Sequence, residues 1–285
     1  VVATTPGLDV YQWKRSRYVK WYVHIPHTVR SLQVYRMFGL DHYDAVLTGG
    51  RSQDESGREM EEARPAIARK EYVAVGSPVM DNILAQRKSA GVRPANARPV
   101  VLVAPSWGKS GILTKFGAGF LKEAERTGYE VVVRPHPQTA VSERHILEPL
   151  MERFPDIEWN FDNDNFAVLD RADVLISDFS GTMFDFALGF GKPVIYTDVE
   201  FDRAPYDYAW SPREPWDFAV LPRIGIRLGE EDFGRMGEVI AAALSNGELR
   251  ANLDAVREEC WENPGGSARA EFDYLREKWD VLSKD

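Results

Sequence analysis

A strand-helix-strand pattern at residues 174–196 limits the folds that this chain can adopt. The runs 174–176 and 194–196 consist of Val, Ile, Leu and Tyr, as buried strands often do, and the apolar stretch between them predicts a helix. Two strands joined through a helix pair in parallel by a right-handed crossover. The pattern therefore predicts an α/β fold built on a parallel sheet.

The same alternation of strand and helix patterns covers most of the chain. Further strands are predicted at 21–25, 45–47, 72–75, 100–104 and 130–134, and helices at 115–127, 142–154, 231–246, 248–260 and 268–282. The stretch 90–99 contains two prolines and predicts a linker. We therefore predict two α/β domains with a boundary near residue 97: residues 1–96, and residues 97–285, which are doubly wound and end in helices.

Composition excludes several classes of protein. A hydrophobic content of 44% with 28% charged residues is typical of a soluble globular protein, and a net charge of −9 argues against general nucleic-acid binding. The single cysteine, Cys260, excludes a disulfide framework and fits a cytoplasmic protein. No run of about 18 apolar residues occurs, which is the length of a membrane-spanning helix. The chain begins at Val1 without an initiator methionine, so we expect a missing preceding segment and an incomplete first domain.

Residues 11–30 differ in charge from the rest of the chain. They contain five basic residues, five aromatic residues and no acidic residue. One interpretation is a solvated sheet edge whose lysines prevent aggregation. The other is a surface that meets anionic lipid or polymer, which would place the protein peripherally on the inner face of a membrane.

Polar residues follow three of the predicted strands. Ligands of open parallel sheets bind beyond the carboxyl ends of the strands. Ser106 follows the strand at 100–104, Arg134 and His136 follow the strand at 130–134, and the turn 177–182 follows the strand at 174–176. This turn combines hydroxyls and a glycine with the unpaired N–H groups of a new helix, which is where proteins hold phosphate. We therefore predict a phosphorylated or nucleotide ligand.

Two of these segments have residues suited to phosphate chemistry. His136 stands between two prolines, which hold it rigidly, so it can donate to a phosphate or transfer a proton near neutral pH. The neighbouring Arg134 would pair with phosphate. The alternative is a histidine that only hydrogen-bonds its own loop. Gly108-Lys109-Ser110 is not the end of an NTPase phosphate loop, because position 103 is Val where that loop has Gly.

The first domain offers two histidines near a strand end. His24 lies inside the strand pattern and is interpreted as a packed core residue. His27 lies just beyond the strand and is a candidate general base. A metal site formed by His24 and His27 would need a third ligand at a suitable spacing, and the sequence shows none, so no metal is predicted.

The motifs taken together resemble a known family over nearly the whole chain. Residues 22–28, 38–44, 104–107, 134–137, 176–185, 191–196 and 265–269 resemble the CDP-glycerol glycerophosphotransferases of bacterial teichoic-acid and capsule synthesis. The stretch 176–196 is the most specific part of the resemblance. One departure is His27-Thr28, where many members have His-Gly.

The resemblance implies a GT-B fold, in which two Rossmann-like domains face a cleft. Residues 1–96 would then handle the acceptor and residues 97–285 the nucleotide donor. The resemblance also implies two catalytic residues, His27 and His136, and a set of substrate-binding residues: Ser106, Arg134, Asp178, Ser180, Gly181, Thr182, Ser267 and Arg269.

The implied reaction moves a polyol phosphate, with glycerol phosphate favoured, from a CDP-linked donor to a hydroxyl of a cell-envelope or capsule polymer or of a lipid-linked acceptor. CMP is released and no cofactor or metal is required. One alternative is a GT-B glycosyltransferase or a sugar-nucleotide epimerase that uses a UDP- or CMP-sugar. Another is a non-catalytic binding protein of envelope assembly.

Overall fold

The computed structural model describes residues 1–91 and 98–284, so the predicted boundary near residue 97 lies outside the described residues. The strands are, in chain order, β1 (Val2–Ala3), β2 (Val23–His24), β3 (Ala45–Thr48), β4 (Glu71–Ala74), β5 (Val100–Val103), β6 (Glu130–Val133), β7 (Glu158–Trp159), β8 (Val174–Ser177), β9 (Val194–Thr197) and β10 (Gly225–Leu228).

The helices begin and end within one to three residues of several predicted bounds. They are α1 (Arg51–Ala63), α2 (Pro78–Ala90), α3 (Ile112–Lys115), α4 (Gly117–Arg126), α5 (Pro137–Ser142), α6 (Arg144–Arg153), α7 (Phe166–Arg171), α8 (Thr182–Phe184), α9 (Trp216–Ala219), α10 (Leu221–Ile224), α11 (Met236–Ser245), α12 (Gly247–Cys260) and α13 (Ser267–Leu282). Three 3₁₀ helices cover Leu32–Val34, Asp207–Trp210 and Glu230–Arg235. Among the helices of the described residues, none combines the length and the apolar character that crossing a bilayer requires.

The chain forms two compact units. Unit 1 comprises Val1–Ala85, Arg203–Val220 and Ala255–Asp285, and unit 2 comprises Gln86–Asp202 and Leu221–Asp254. This division differs from the sequence analysis, which assigned all of residues 97–285 to the second domain. The reason is that Tyr274 and Leu275 of α13 pack against apolar residues of β2 and β3 in unit 1. A helical pattern shows which face is apolar and does not show which sheet that face will cover.

Unit 2 contains a six-stranded sheet in the order β10-β9-β8-β5-β6-β7, with every pairing parallel. The central strands β5, β6 and β8 are nearly continuous Val, Leu and Ile, because helices cover both faces of the sheet. The chain runs outward from β5 to β7 and then returns to β8 on the other side of β5. The strand order therefore reverses between β5 and β8, and such a switch point is where open α/β sheets bind ligands.

Unit 1 contains a four-stranded parallel sheet in the order β1-β2-β3-β4. Its central strand, β3, is buried along its whole length. One apolar cluster includes Leu8, Leu32, Tyr35 and Met60, and a second joins the sheet to α13. Both units are thus α/β with parallel sheets, as predicted.

The stretch after β8 departs from a simple helix. The α-helix α8 has only three residues and continues as a π-helix over Asp185–Phe190, which Gly191 ends with a φ of 68°. Inserted π turns occur frequently at functional sites. The buried side chains of Met183, Phe184 and Phe186 fix this segment to the core of unit 2.

Candidate functional site

The switch point in unit 2 brings the loops after β5 and β8 together. Val103 and Ile176, near the ends of these two strands, are paired in the sheet. Just beyond them, the Ser177 hydroxyl donates to the Ala104 carbonyl at 2.5 Å. On the other side of β5, the Arg134 N–H donates to the Val103 carbonyl at 2.8 Å. Three predicted site segments therefore start from neighbouring strand ends.

Asp178 is buried and organises the loop after β5. Its carboxylate accepts hydrogen bonds from the N–H groups of Ser106 at 3.0 Å, Ile112 at 3.2 Å and Phe179 at 2.7 Å. The Ser106 hydroxyl bonds to it as well. Burial raises the pKa of Asp178, and these hydrogen bonds oppose that rise. Asp178 and Ser106 were predicted to bind substrate. In the structure both residues hold the loop after β5, and their contact with substrate stays a prediction.

The loop after β5 has a tightly defined backbone. Gly108 has a φ of +93°, and its N–H donates to the Glu143 carboxylate at 3.0 Å. A Cβ atom on Gly111 would lie 2.3 Å from the Ser106 carbonyl oxygen, so only glycine fits there. The loop is thus held at Ser106, Gly108 and Ile112, and it presents the exposed Lys109 side chain.

The turn after β8 leaves backbone donors available. Ser180, Gly181 and Thr182 are half-buried rather than sealed in the core. The Thr182 N–H donates to the Ser180 hydroxyl oxygen at 3.3 Å. Within the described residues, nothing accepts a hydrogen bond from the N–H of Ser180 or Gly181. Two adjacent free donors at the start of a helical segment can hold an anion.

His136 is exposed and presents one ring nitrogen to solvent. Its Nδ1 accepts a hydrogen bond from the Gln138 N–H at 3.1 Å, so the proton of the neutral ring is assigned to Nε2. Partial burial lowers the pKa of His136, and the nearby carboxylates of Asp178 and Glu143 oppose this effect. The ring is therefore mostly neutral at pH 7 and offers an Nε2–H donor.

Arg134 is engaged away from the turn. Its guanidinium donates to the Asn160 side chain and, at 2.7 Å, to the Asp162 carbonyl. The sequence analysis assigned Arg134 to phosphate. In the structure, its two terminal nitrogens hold the loop after β7, and its contact with phosphate stays a prediction.

His27 lies in unit 1 on a loop that a buried glutamine holds in place. The Gln53 side-chain amide donates to the carbonyls of Thr28 at 2.8 Å and Arg30 at 2.6 Å, and its oxygen accepts from the Gly49 N–H. The His27 ring is exposed. Partial burial and the positive charge of Arg30 lower the pKa of His27. A neutral imidazole on a fixed loop can accept a proton near pH 7.

His24 is a core residue, as the sequence analysis interpreted it. Its side chain is fully buried, and Nε2 lies 2.9 Å from the Tyr35 hydroxyl. Burial, with a smaller effect from His27, lowers the pKa of His24 to about 3. Among the described residues, no group of three or more His, Cys, Asp or Glu side chains has the arrangement of a metal site.

Ser267 and Arg269 lie at the start of α13. Ser267 is 0% exposed, and its N–H donates to the Asp81 carboxylate at 2.9 Å. The Gly265 N–H donates to the same carboxylate at 2.7 Å. Arg269 is exposed and pairs with Asp273 one turn along α13. This motif begins α13 and fixes it to α2, and the assignment of Ser267 and Arg269 to substrate stays a prediction.

A comparison with protein-family models identifies one match. The model described as CDP-Glycerol:Poly(glycerophosphate) glycerophosphotransferase matches residues 40–209. The matched range contains His136 and the turn after β8, and it begins after His27. A search of curated protein sequences finds no significant match.

Solved structures with the same fold include a teichoic-acid polymerase and two epimerases. A variant of the wall teichoic acid polymerase TagF soaked with CDPG is 13% identical, over 98% of this chain and 72% of that one, with a TM-score of 0.56. UDP-GlcNAc 2-epimerase from Neisseria meningitidis is 14% identical, over 93% of this chain and 70% of that one, with a TM-score of 0.55. UDP-GlcNAc 2-epimerase from Methanocaldococcus jannaschii is 13% identical, over 93% of this chain and 69% of that one, with a TM-score of 0.56.

These identities are low, so the structural matches establish the fold and not the reaction. They confirm the predicted GT-B fold class. The family match covers more than half of the chain and confirms the family resemblance found in the sequence.

Proposed function

The chain belongs to the CDP-glycerol:poly(glycerophosphate) glycerophosphotransferase family, and we propose that it moves glycerol phosphate from CDP-glycerol to a hydroxyl of a cell-envelope polymer. The observation that carries this proposal is the switch point of unit 2. There, the free N–H groups of Ser180 and Gly181 and the neutral ring of His136 follow the strands β8 and β6, which flank β5.

Donor binding is assigned to unit 2. The diphosphate accepts hydrogen bonds from the two free N–H groups of the turn and from the Thr182 hydroxyl. The Nε2–H of His136 donates to a second phosphate oxygen. These are neutral donors fixed by the fold, so they stabilise charge on the phosphates without rearranging during the reaction.

Acceptor activation is assigned to His27. The acceptor hydroxyl oxygen attacks the phosphorus that carries the glycerol, and its proton passes to the neutral imidazole of His27. As the new P–O bond forms, the bond between the attacked phosphorus and the oxygen that bridges the two phosphorus atoms breaks. The bridging oxygen leaves with CMP, which takes the bonding electron pair.

A panel of donors tests the proposed reaction. The protein is incubated with CDP-glycerol, CDP-ribitol, UDP-sugars and CMP-sugars, each with a glycerol-phosphate oligomer as acceptor, and the nucleotide product is identified. We expect CMP from CDP-glycerol, together with acceptor lengthened by glycerol phosphate.

Two outcomes of the same panel support the alternative functions. Release of UDP from a UDP-sugar, or epimerisation of that sugar, would identify a glycosyltransferase or epimerase with the same fold. Binding of the oligomer without consumption of any donor would identify a non-catalytic envelope-assembly protein.

We also propose that unit 1 contacts an anionic membrane surface. Tyr18 and Trp279 are 79% and 72% exposed, and the nearby Lys20 ammonium donates to the Leu282 carbonyl at 2.9 Å, which places the C-terminal end of α13 beside residues 18–20. Exposed Tyr and Trp favour the membrane interface, and basic side chains are attracted to anionic lipids.

Vesicle sedimentation tests this surface. We expect the protein to sediment with vesicles of phosphatidylglycerol and not with phosphatidylcholine alone. The double variant Tyr18→Ala, Trp279→Ala should lose this binding, whereas Val141→Ala, which removes an exposed apolar side chain of unit 2, should keep it. Equal sedimentation of all three proteins would contradict the assignment.

A further inference from the structure

A buried ion pair in unit 1 includes Arg30, which follows His27 by three residues. The Arg30 guanidinium donates through Nε to the Asp217 carboxylate at 3.0 Å, and the two side chains are only 10% and 1% exposed. The Tyr208 hydroxyl accepts from Arg30 at 3.0 Å and donates to the carboxylate. Asp217 lies outside residues 40–209, which the family model matches. The proposed chemistry does not use this pair.

Asp217 helps to hold the loop that carries His27. It belongs to residues 203–220, a segment that returns to unit 1 after β9. Its second carboxylate oxygen accepts a hydrogen bond from the Ser31 N–H at 2.6 Å. From α1, the Gln53 amide donates to two carbonyls of the same loop. Two separate elements therefore fix the backbone that follows the imidazole.

The charge of Arg30 acts on the His27 ring. Partial burial and then this positive charge lower the pKa of His27. Two further ionisable side chains interact with the ring: Tyr35, whose ring centroid lies 6.1 Å away, and His24 on β2. Burial raises the pKa of Tyr35 and lowers that of His24, so both are neutral at pH 7. The carboxylate of Asp217 faces the charged Arg30 and reduces the field of that cation at the ring.

We propose that Asp217 is a positioning residue that fixes the loop of His27 and offsets the positive charge beside its imidazole. It acts through the Arg30 guanidinium and the Ser31 N–H. The assignment rests on the proposed function, in which His27 takes the proton of the acceptor hydroxyl.

The assignment predicts two effects of opposite sign. Without the Asp217 carboxylate, Arg30 would face the ring as an unpaired cation and disfavour the protonated imidazole. With neither charge present, the ring would gain a proton more readily than in the wild type. A residue that only stabilised the fold would not produce both effects.

Titration of the His27 ring by NMR tests this assignment without any substrate. The full chain is labelled in its histidines, and the His27 signal is identified from its loss in His27→Gln. Asp217→Asn should move the midpoint of the titration to lower pH than in the wild type, and the double variant Arg30→Gln, Asp217→Asn should move it to higher pH. The signals of the exposed His42 and His145 should keep their midpoints in every variant.

Glu214→Gln is the matched control. It removes another carboxylate of residues 203–220, which pairs with Arg203 at 2.7 Å but is 54% exposed. Its His27 titration should match that of the wild type. The double variant removes both buried charges and leaves neither unpaired, so it should stay folded even where the single variant is destabilised, as thermal unfolding will show.

The transfer assay connects the titration to the reaction. CMP release by Asp217→Asn at pH 7 should fall roughly 10-fold with unchanged CDP-glycerol affinity, because a weaker and less fixed base contributes less. Three results would overturn the assignment: the same midpoint in the wild type and both variants, a shift of both variants in one direction, or an unchanged rate in Asp217→Asn. If His27 titrates as expected and the wild type releases no CMP, the proposed function fails and the coupling of Asp217 to His27 stands.

Discussion

Three histidines with the same intrinsic chemistry receive different roles from their surroundings. His24 is buried against the Tyr35 hydroxyl and stays neutral. His27 is exposed on a loop that Gln53 fixes, and Arg30 helps to keep its ring neutral. His136 has its Nδ1 occupied by the Gln138 N–H, which leaves Nε2–H as a donor. Burial and one hydrogen bond thus distinguish a core residue, His24, from the proposed base, His27, and the proposed donor, His136.

The buried His24 should make stability depend on pH. Its pKa is about 3 in the folded protein, whereas an unfolded histidine has a pKa of about 6.5. The unfolded chain therefore binds a proton at His24 more readily than the folded protein does. The free energy of unfolding keeps its full value above the unfolded pKa of about 6.5 and falls as the pH drops from there toward 3. Between pH 7 and pH 5 this amounts to about 2 kcal/mol.

Denaturant unfolding of the wild type and of His24→Gln, at pH 7 and at pH 5, measures this contribution. Over that interval, the free energy of unfolding of the wild type should fall by about 2 kcal/mol more than that of the variant. Identical losses in the two proteins would show that His24 does not carry the dependence.

Elements, rather than single side chains, decide where the site residues lie. The Val-rich strands β5, β6 and β8 are recognisable in the sequence, and so are the polar segments that follow them. The two-residue strand β7 and the strand β10 were missed, because a short run with Glu, Trp, Gly or Arg has no clear strand pattern.

The partners that hold the loops could not be predicted. Asp178 is 72 residues from Ser106 in sequence, and Asp81 is 186 residues from Ser267. Such pairs depend on how the elements pack, and a single sequence contains no signal for them. The sequence analysis therefore assigned Asp178, Ser106 and Ser267 to substrate without showing that each also holds a loop or a helix in place.

The loop after β5 should tolerate no side chain at Gly111. A Cβ atom there would overlap the Ser106 carbonyl oxygen, whereas a Cβ on Gly119 of α4 meets nothing. We expect Gly111→Ala to lower the free energy of unfolding by roughly 1–3 kcal/mol and to weaken CDP-glycerol binding, because the loop must move.

Gly119→Ala is the matched control. It should raise stability slightly, by roughly 0.5–1 kcal/mol, because alanine favours a helix, and leave binding unchanged. Denaturant unfolding and calorimetric titration measure both effects. If Gly111→Ala behaved like Gly119→Ala, the loop would not be constrained as described.

At the scale of the whole molecule, the α/β class and the family could be predicted from sequence, whereas the division of the chain could not. Residues 203–220 and 255–285 return to unit 1 after the chain has built the sheet of unit 2. Pattern alone assigns consecutive segments to one domain. Contacts such as those of Tyr274 with the unit 1 sheet show that α13 belongs to unit 1.

In the proposed reaction, unit 2 binds the donor and His27 takes the proton of the acceptor hydroxyl. The most direct test measures CMP release and CDP-glycerol affinity for the wild type, His27→Ala and the control His145→Ala, which changes an exposed histidine of α6. We expect His27→Ala to lose at least about 100-fold in transfer rate and to keep its donor affinity, while His145→Ala matches the wild type. Near-normal transfer by His27→Ala would contradict the account.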